Sequence, residues 1–217
     1  MSKVYIDLDG TILDISEKYY RIYYENITLF GRKPLPKDEY WKLKRNGEKE
    51  EQIVMKSGIS IDRTICYNDL FSEKIEKMEY LNYDKVFSGA AQTLKTLREK
   101  GNKVILVTLR KLPINLHKEL KFLSLDPLFN EILIGSHREK KLWIHKAKLI
   151  KNSACFSQRK SLIVGDTEVD ILAGKTLGIK TVVVLNGMRN RALLLAKKPD
   201  YVIENINELP SMLGQIR

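Results

Sequence analysis

Apolar positions change their rhythm twice along this chain, and the two changes divide it. Val4, Tyr5 and Ile6 form a short continuous apolar run, the pattern of a strand buried on both faces of a parallel sheet. From Leu13 to about Phe87 such runs disappear and helical spacing takes over. Ile15, Tyr19, Ile22 and Tyr23 fall at i, i+4, i+7 and i+8, one face of an amphipathic helix that Tyr20 and Tyr24 widen. Pro34 and Pro36 stop that helix, and Asp38 is placed to cap the next one. Residues 41–57 read as helix broken near Asn46-Gly47, and residues 61–81 as a further helix through Ile65, Leu70, Phe71, Ile75 and Met78. After Phe87, helix and strand alternate. Ser88-Gly89 opens a helix with Leu94 and Leu97 facing inward and Gly101 past its end. Residues 103–107 (KVILV), 131–134, 161–164 (SLIV), 181–185 (TVVVL) and 201–203 read as strands, with helices between them and one at the end.

Strands alternating with helices imply an α/β fold: a Rossmann-like core of three layers, its parallel sheet covered on both faces. The helical stretch enters this core directly after the first strand, as an inserted α-helical cap. The boundaries drawn this way give residues 1–13 and 88–217 to the core and 14–87 to the cap.

Length and charge narrow the function. At 217 residues the chain can bury a sizeable core, and a net charge of +11 with a pI near 9.5 favours anionic partners. Small phosphorylated metabolites come before nucleic acid, because the basic residues are scattered and no zinc-finger, RNP or helix-turn-helix pattern surrounds them. Cys66 and Cys155 stand far apart without a partner histidine at ligand spacing, which argues against a disulfide framework or zinc. His117, His137 and His145 show no metal spacing and read as surface residues. With no signal peptide before Asp7 and no apolar run of membrane length, a cytoplasmic protein is expected, without a membrane partner.

The chemistry gathers where strands end. Asp7 and Asp9 follow the first strand, and alternation along extended backbone can point both carboxylates the same way. Such a pair is costly unless a cation or a shared proton relieves it, and a hard divalent cation such as Mg²⁺ is the simplest relief. At roughly 5–7% usage per residue type, D-x-D-G-T arises by chance in about one chain in a thousand of this length. An EF-hand is excluded, since no loop-closing Glu stands at the required position. Thr108 follows KVILV, and Asp166 and Asp170 (in DTEVD) follow SLIVG. Ligands bind at the carboxyl ends of strands in an open parallel sheet, so the three clusters converge on one rim.

Together DLDGT, a strand ending in Thr108, a lysine near a helix start and GDTEVD resemble the four motifs of the haloacid dehalogenase superfamily. The place of the inserted helices is similar to the cap of its phosphoglycolate phosphatase-like subgroup, and LGIKTVVVLNG and KPDYVIENINEL resemble that subgroup too. The resemblance covers nearly the whole chain. It implies a Mg²⁺-dependent phosphatase, a phosphoric monoester hydrolase acting on a small phosphorylated metabolite through an aspartyl-phosphate. Asp7 would be the nucleophile, and Asp9 the acid that protonates the leaving oxygen and then activates water. Asp7, the backbone carbonyl of Asp9, and Asp166 would hold Mg²⁺, with Asp170 ligating or orienting from one helical turn later. Thr108 would bind a phosphate oxygen. Lys146, in KAKLIK twenty residues before Asp166, best fits the family's lysine, ahead of Lys141 and the nearby Lys140 and Lys148. Arg45, in Arg45-Asn46-Gly47 of the cap, is the candidate specificity residue. Arg110, Arg189 and Arg191 stand just past strand ends, with free surface positions expected for at least two. The alternatives are a phosphomutase of the same superfamily and a non-catalytic anion- or RNA-binding protein on this fold.

Overall fold

The computed structural model of the chain describes residues 2–135 and 141–215; His137 and Lys140 lie outside them. The chain opens with β1 (Lys3–Ile6) and the short β2 (Leu13–Asp14). Helices α1 (Ser16–Leu29), α2 (Lys37–Arg45), α3 (Glu50–Lys56), α4 (Thr64–Lys74) and α5 (Met78–Leu81) come next, then the short strand β3 (Lys85–Val86). Alternation follows through α6 (Ala90–Glu99), β4 (Lys103–Thr108), α7 (Pro113–Phe122), β5 (Glu131–Ile134) and α8 (Leu142–Lys151). It continues with β6 (Ser161–Gly165), α9 (Glu168–Leu177), β7 (Lys180–Val184), α10 (Arg191–Leu195), β8 (Tyr201–Ile203) and α11 (Leu209–Gln215). These elements form two units, residues 1–14 with 86–217, and residues 15–85. Among the described residues no helix is long and apolar enough to cross a membrane.

In the larger unit six strands pair in the order β5-β4-β1-β6-β7-β8, and every one of these pairings is parallel. Val4, Tyr5 and Ile6 are fully buried, as a strand covered on both faces requires. Register sets Ile6 level with Leu106 on one side and Val164 on the other. From β4 the chain winds outward to β5, and from β6 it winds the other way through β7 to β8. The winding reverses beside β1, the point at which open parallel sheets bind ligands at the carboxyl ends of their strands. In the core of this sheet Tyr5, Ile105, Val107 and Ile163 of the strands pack with Ala147 and Ile150 of α8 and Ala173 of α9.

Residues 15–85 have a core of their own, built from Tyr23, Ile27, Tyr40, Ile53, Val54, Ile59 and Tyr67. The tyrosine stripe of α1 therefore serves packing: Tyr23 stacks on Tyr40 with ring centres 4.3 Å apart, while Tyr24 lies outside at 45% exposure. Glu50 accepts hydrogen bonds from the Tyr67 hydroxyl at 2.9 Å and the Tyr40 hydroxyl at 3.3 Å, and Lys44 neutralises it at 2.7 Å. Three local expectations fail here. Residues 61–81 form no single helix: a tight turn at Ile61–Arg63 leads into α4, and α5 follows as a separate element. Pro36, not Asp38, occupies the N-cap of α2, and Asp38 sits in its first turn, where its charge faces the positive helix end. Ile65 is 70% exposed, while Thr64 and Tyr67 turn inward. The tighter turn at Ile61–Arg63 has three residues per turn, which rotates the phase of the helix after it.

The ends of this unit are tied by a buried ion pair. Lys18, in the first turns of α1, stands 2.5 Å from Asp84, just before β3, with side-chain exposures of 1% and 0%. Removing one partner leaves the other charge desolvated, which is far costlier than never burying the pair. Lys18→Met is expected to lower stability by about 3–5 kcal/mol. The double variant Lys18→Met/Asp84→Asn should recover more than half of that loss, measured by urea unfolding. Additive losses would remove the pair from this role.

Candidate active site

The segment after β1 is shaped by backbone hydrogen bonds before any chemistry. Asp7 N–H donates to the Val164 carbonyl at 2.9 Å, extending the β1–β6 ladder by one step. The Leu8 carbonyl then accepts from Ile12 N–H at 2.9 Å and Leu13 N–H at 3.0 Å, closing a tight loop. Gly10 in that loop has φ +78°, and a Cβ there would lie 2.0 Å from Asp166 Oδ2. Gly187, after β7, approaches as closely: its Cβ would meet the same oxygen, and the Gly10 carbonyl, at 2.4 Å. Asp166 is thus packed against two glycine backbones. Its Oδ2 accepts from Met188 N–H at 2.6 Å, and its Oδ1 accepts from the Thr11 hydroxyl at 3.4 Å.

Lys146 enters from α8. Ala147 and Ile150 press one face of that helix on the sheet, and the neighbouring Lys146 is carried under with them at 2% exposure. Its ammonium stands 2.6 Å from Asp7 Oδ1 and 2.5 Å from Asp170 Oδ1. Asp170 lies in the first turn of α9, where its other oxygen accepts from Thr167 N–H at 3.1 Å and the Thr167 hydroxyl at 2.8 Å. The GDTEVD stretch is therefore a capping box and part of the charged cluster at once, with Thr167 at the N-cap rather than Asp166.

Oxygens of Asp7, Asp166 and Asp170 lie within 4.8 Å of one another. Burial raises the Asp7 pKa to about 7, Lys146 works against that rise and Asp170 adds to it. Asp166 is pushed well above the usual carboxylate range by burial and then by the charges of Asp7 and Asp170. Burial opposes the Lys146 ammonium, but Asp170 and Asp7 outweigh it and hold the lysine above its ordinary value. When all three acids are ionised, three carboxylates against one ammonium leave two negative charges to be balanced. An all-oxygen donor set with that excess fits a hard divalent cation.

Thr108 ends β4 on the same rim and is 2% exposed, its hydroxyl accepting from Arg110 N–H at 3.3 Å. Arg110 is buried at 6% and pairs with Asp9 through two nitrogens, Nε to Oδ2 at 2.7 Å and Nη2 to Oδ1 at 2.6 Å. Its third nitrogen, Nη1, lies 3.2 Å from Glu119 Oε2 of α7, a residue exposed by only 2%. In the sequence neither a partner for Arg110 nor a role for Glu119 stands out. The one available signal was a charged residue in the inward-facing row of α7 with Leu116 and Leu120. Arg189 pairs with Glu168, and Arg191 is exposed and pairs with Glu204. Lys141 is at the N-cap of α8, its ammonium 5.7 Å from the centre of the Trp143 ring, and Lys148 is exposed. His117 is exposed as expected, but His145 is half-buried, with Nε2 inside the fold. Arg45 closes α2 in the helical unit.

Residues 4–184 match the family model described as haloacid dehalogenase-like hydrolase. The pyrophosphatase PpaX of Halalkalibacterium halodurans is 29% identical over 163 residues, covering 70% of this chain and 75% of the relative. Among solved structures, a haloacid dehalogenase-like family hydrolase from Streptococcus pneumoniae superposes with a TM-score of 0.79 at 20% identity, covering 98% of both chains. A predicted phosphoglycolate phosphatase from Haemophilus somnus gives a TM-score of 0.77 at 18% identity, again over 98% of both. The parallel sheet with its winding reversed at β1, the acidic rim and a match over most of the length agree: this chain belongs to the haloacid dehalogenase-like hydrolases.

Proposed function

We propose that this chain is a Mg²⁺-dependent phosphatase that hydrolyses a small phosphorylated metabolite through an aspartyl-phosphate on Asp7. The observation that carries this reading is the Lys146 ammonium 2.6 Å from Asp7 and 2.5 Å from Asp170, with Asp166 in the same cluster. A structural ion pair needs one acid per base, whereas this cluster keeps two carboxyl groups beyond the one Lys146 can balance, at the strand ends where open parallel sheets bind ligands. Named relatives support phosphate chemistry, since the compared proteins include a pyrophosphatase and a predicted phosphoglycolate phosphatase.

In this mechanism an Asp7 oxygen attacks phosphorus while the bond from phosphorus to the leaving oxygen breaks. The leaving oxygen takes its proton from Asp9, two residues along. Asp9 then removes a proton from water, the water oxygen attacks phosphorus, and phosphate departs with Asp7 restored. Thr108 donates its hydroxyl to a phosphoryl oxygen, and Lys146 holds Asp7 in place and offsets charge on the transferring group. Asp7, the Asp9 carbonyl and Asp166 would hold the cation, with Asp170 ligating or orienting beside them. Bound there, Mg²⁺ would screen the carboxylates from the anionic substrate and stabilise the charge developing on it. The helical unit with Arg45 acts as the cap that selects the metabolite.

The cluster also sets the pH dependence of stability. Asp7 titrates near 3.8 in the unfolded chain and near 7 in the fold. Between those values the native state keeps a proton that the unfolded state has released, so stability falls as pH rises through that window. Above it the like-charge penalty is fully present, and a bound divalent cation relieves the most. The melting temperature without metal should fall between about pH 5 and about pH 8, and Mg²⁺ should raise it more at the upper end. Asp166→Asn should flatten both responses in thermal melts. An equal Mg²⁺ effect at both pH values would count against a cation at this cluster.

Activity supplies the direct test. Phosphate release from a panel containing pyrophosphate and phosphoglycolate should require Mg²⁺ and stop with a chelator. Asp7→Asn should lower it by roughly a thousandfold or more, about 4 kcal/mol of barrier. Lys146→Met should cost about a hundredfold to a thousandfold. Unchanged turnover in Asp7→Asn would remove that residue from the mechanism.

A further inference from the structure

Arg110 is bound in a way that its charge alone does not require. It sits in the loop between β4 and α7, and its guanidinium meets Asp9 edge to edge, with bonds of 2.7 Å and 2.6 Å to the two carboxylate oxygens. Behind it Glu119 lies 3.2 Å from Nη1, and the Arg110 backbone N–H reaches the Thr108 hydroxyl at 3.3 Å. Desolvating an arginine and a glutamate is expensive, and such an array adds little net stability compared with an apolar replacement. What it does provide is geometry. A lysine would hold a carboxylate as a point charge, whereas a guanidinium fork fixes both the position and the plane of the carboxylate. Asp9 keeps a quarter of its side chain exposed, at 25%, while Arg110 grips it from the buried side at 6%.

We propose that Arg110, anchored by Glu119, is a positioning residue for Asp9 that fixes the plane from which the carboxyl delivers its proton to the leaving oxygen. The inference rests on the phosphatase reading above. In the acid step the proton passes from Asp9 to the leaving oxygen as its bond to phosphorus breaks, and Asp9 keeps the electron pair as carboxylate. Arg110 keeps all its protons. Its fork matches the carboxylate formed in that step better than the neutral acid that enters it, so the contact strengthens toward the transition state. The dependence on Arg110 must then follow how much the leaving oxygen needs a proton. An alkoxide needs one; p-nitrophenolate leaves without it.

The experiment compares the rate of the phosphorylation step, read by rapid quench of a single turnover, for glycerol phosphate and p-nitrophenyl phosphate in wild type, Arg110→Gln, Arg110→Lys, Glu119→Gln and Asp9→Asn, because the later attack of water on the aspartyl-phosphate is common to both esters. Arg110→Gln should slow that step about 100-fold with glycerol phosphate and less than about tenfold with p-nitrophenyl phosphate. Arg110→Lys should fall between wild type and Arg110→Gln, and Glu119→Gln should show the same preference in weaker form. Combined with Asp9→Asn, Arg110→Gln should cost nothing further on glycerol phosphate. Equal losses on the two esters, or losses that multiply in the double variant, overturn the positioning role and leave the hydrolase reading intact. Wild type inactive on both esters and on the panel with pyrophosphate and phosphoglycolate refutes that reading and this role with it. Should Arg110→Gln fail to fold, the Arg110→Lys and Glu119→Gln comparisons decide by the same criterion.

Discussion

The charge balance of the acidic rim depends on one buried contact, the Lys146 ammonium between Asp7 and Asp170. Without it three carboxylates would face one another in a region where Asp166 and Asp170 are almost completely buried. Effective dielectric falls with burial, so like charges that water would screen at the surface repel strongly there. The lysine cancels only part of that repulsion. Burial lifts the Asp7 and Asp166 pKa values despite it, which is how the protein distributes the remaining charge when no second cation is present. A site tuned this way is a poor stabiliser and a good cation trap. That is the usual exchange of stability for function.

Topology explains why such a cluster can form from residues so far apart. Asp7 and Asp166 follow adjacent strands whose register places Ile6 beside Val164, at the point where the winding reverses. Asp170 is brought back by the first turn of α9 and locked there by the capping box with Thr167. Lys146 comes from the opposite approach, on a helix whose neighbouring apolar residues are committed to the sheet. Each acid is fixed by the backbone conformation of its own element. The close approach of Gly10 and Gly187 to Asp166 leaves that side chain no room to turn away. Preorganisation of this kind is what electrostatic catalysis demands, because the groups need not move as charge develops.

The sequence made the sheet legible because its strands are continuous apolar runs that end in polar or glycine residues, a pattern that survives without knowledge of neighbours. Glu131–Ile134 and Tyr201–Ile203 were read with the bounds the structure has. Asp7, Thr108, Asp166 and Asp170 could be singled out because they stand at strand ends or just beyond them, where a local pattern implies a shared rim. Lys146 was harder, since several lysines share its helix region, and only packing shows which one goes under with Ala147. The pairing of Arg110 with Asp9 and Glu119 was invisible. It joins residues 101 positions apart, and an arginine after a strand reads as solvated in any single-sequence pattern. The phase of α4 was lost for a related reason, because a tight turn before the helix shifts which side faces inward while composition stays the same.

Net charge and site charge have opposite signs here, and the contrast bears on how an anionic substrate would be handled. The chain carries +11 overall, yet its reactive rim concentrates carboxylates. A positive field acts at long range and favours the approach of a phosphorylated molecule, but it is screened by salt within roughly 10 Å. At contact the local acids govern, and they repel phosphate unless a divalent charge and Lys146 stand between. Affinity for substrate should therefore be conditional on the cation, while the buried acids set the affinity for the cation when substrate is absent. Thermodynamic linkage makes the coupling reciprocal, so substrate must tighten metal binding by the same factor by which metal tightens substrate. In the proposed mechanism the sign of the charges would set the order of events: the buried acids would attract the cation first, and the phosphate would come to the site they make together.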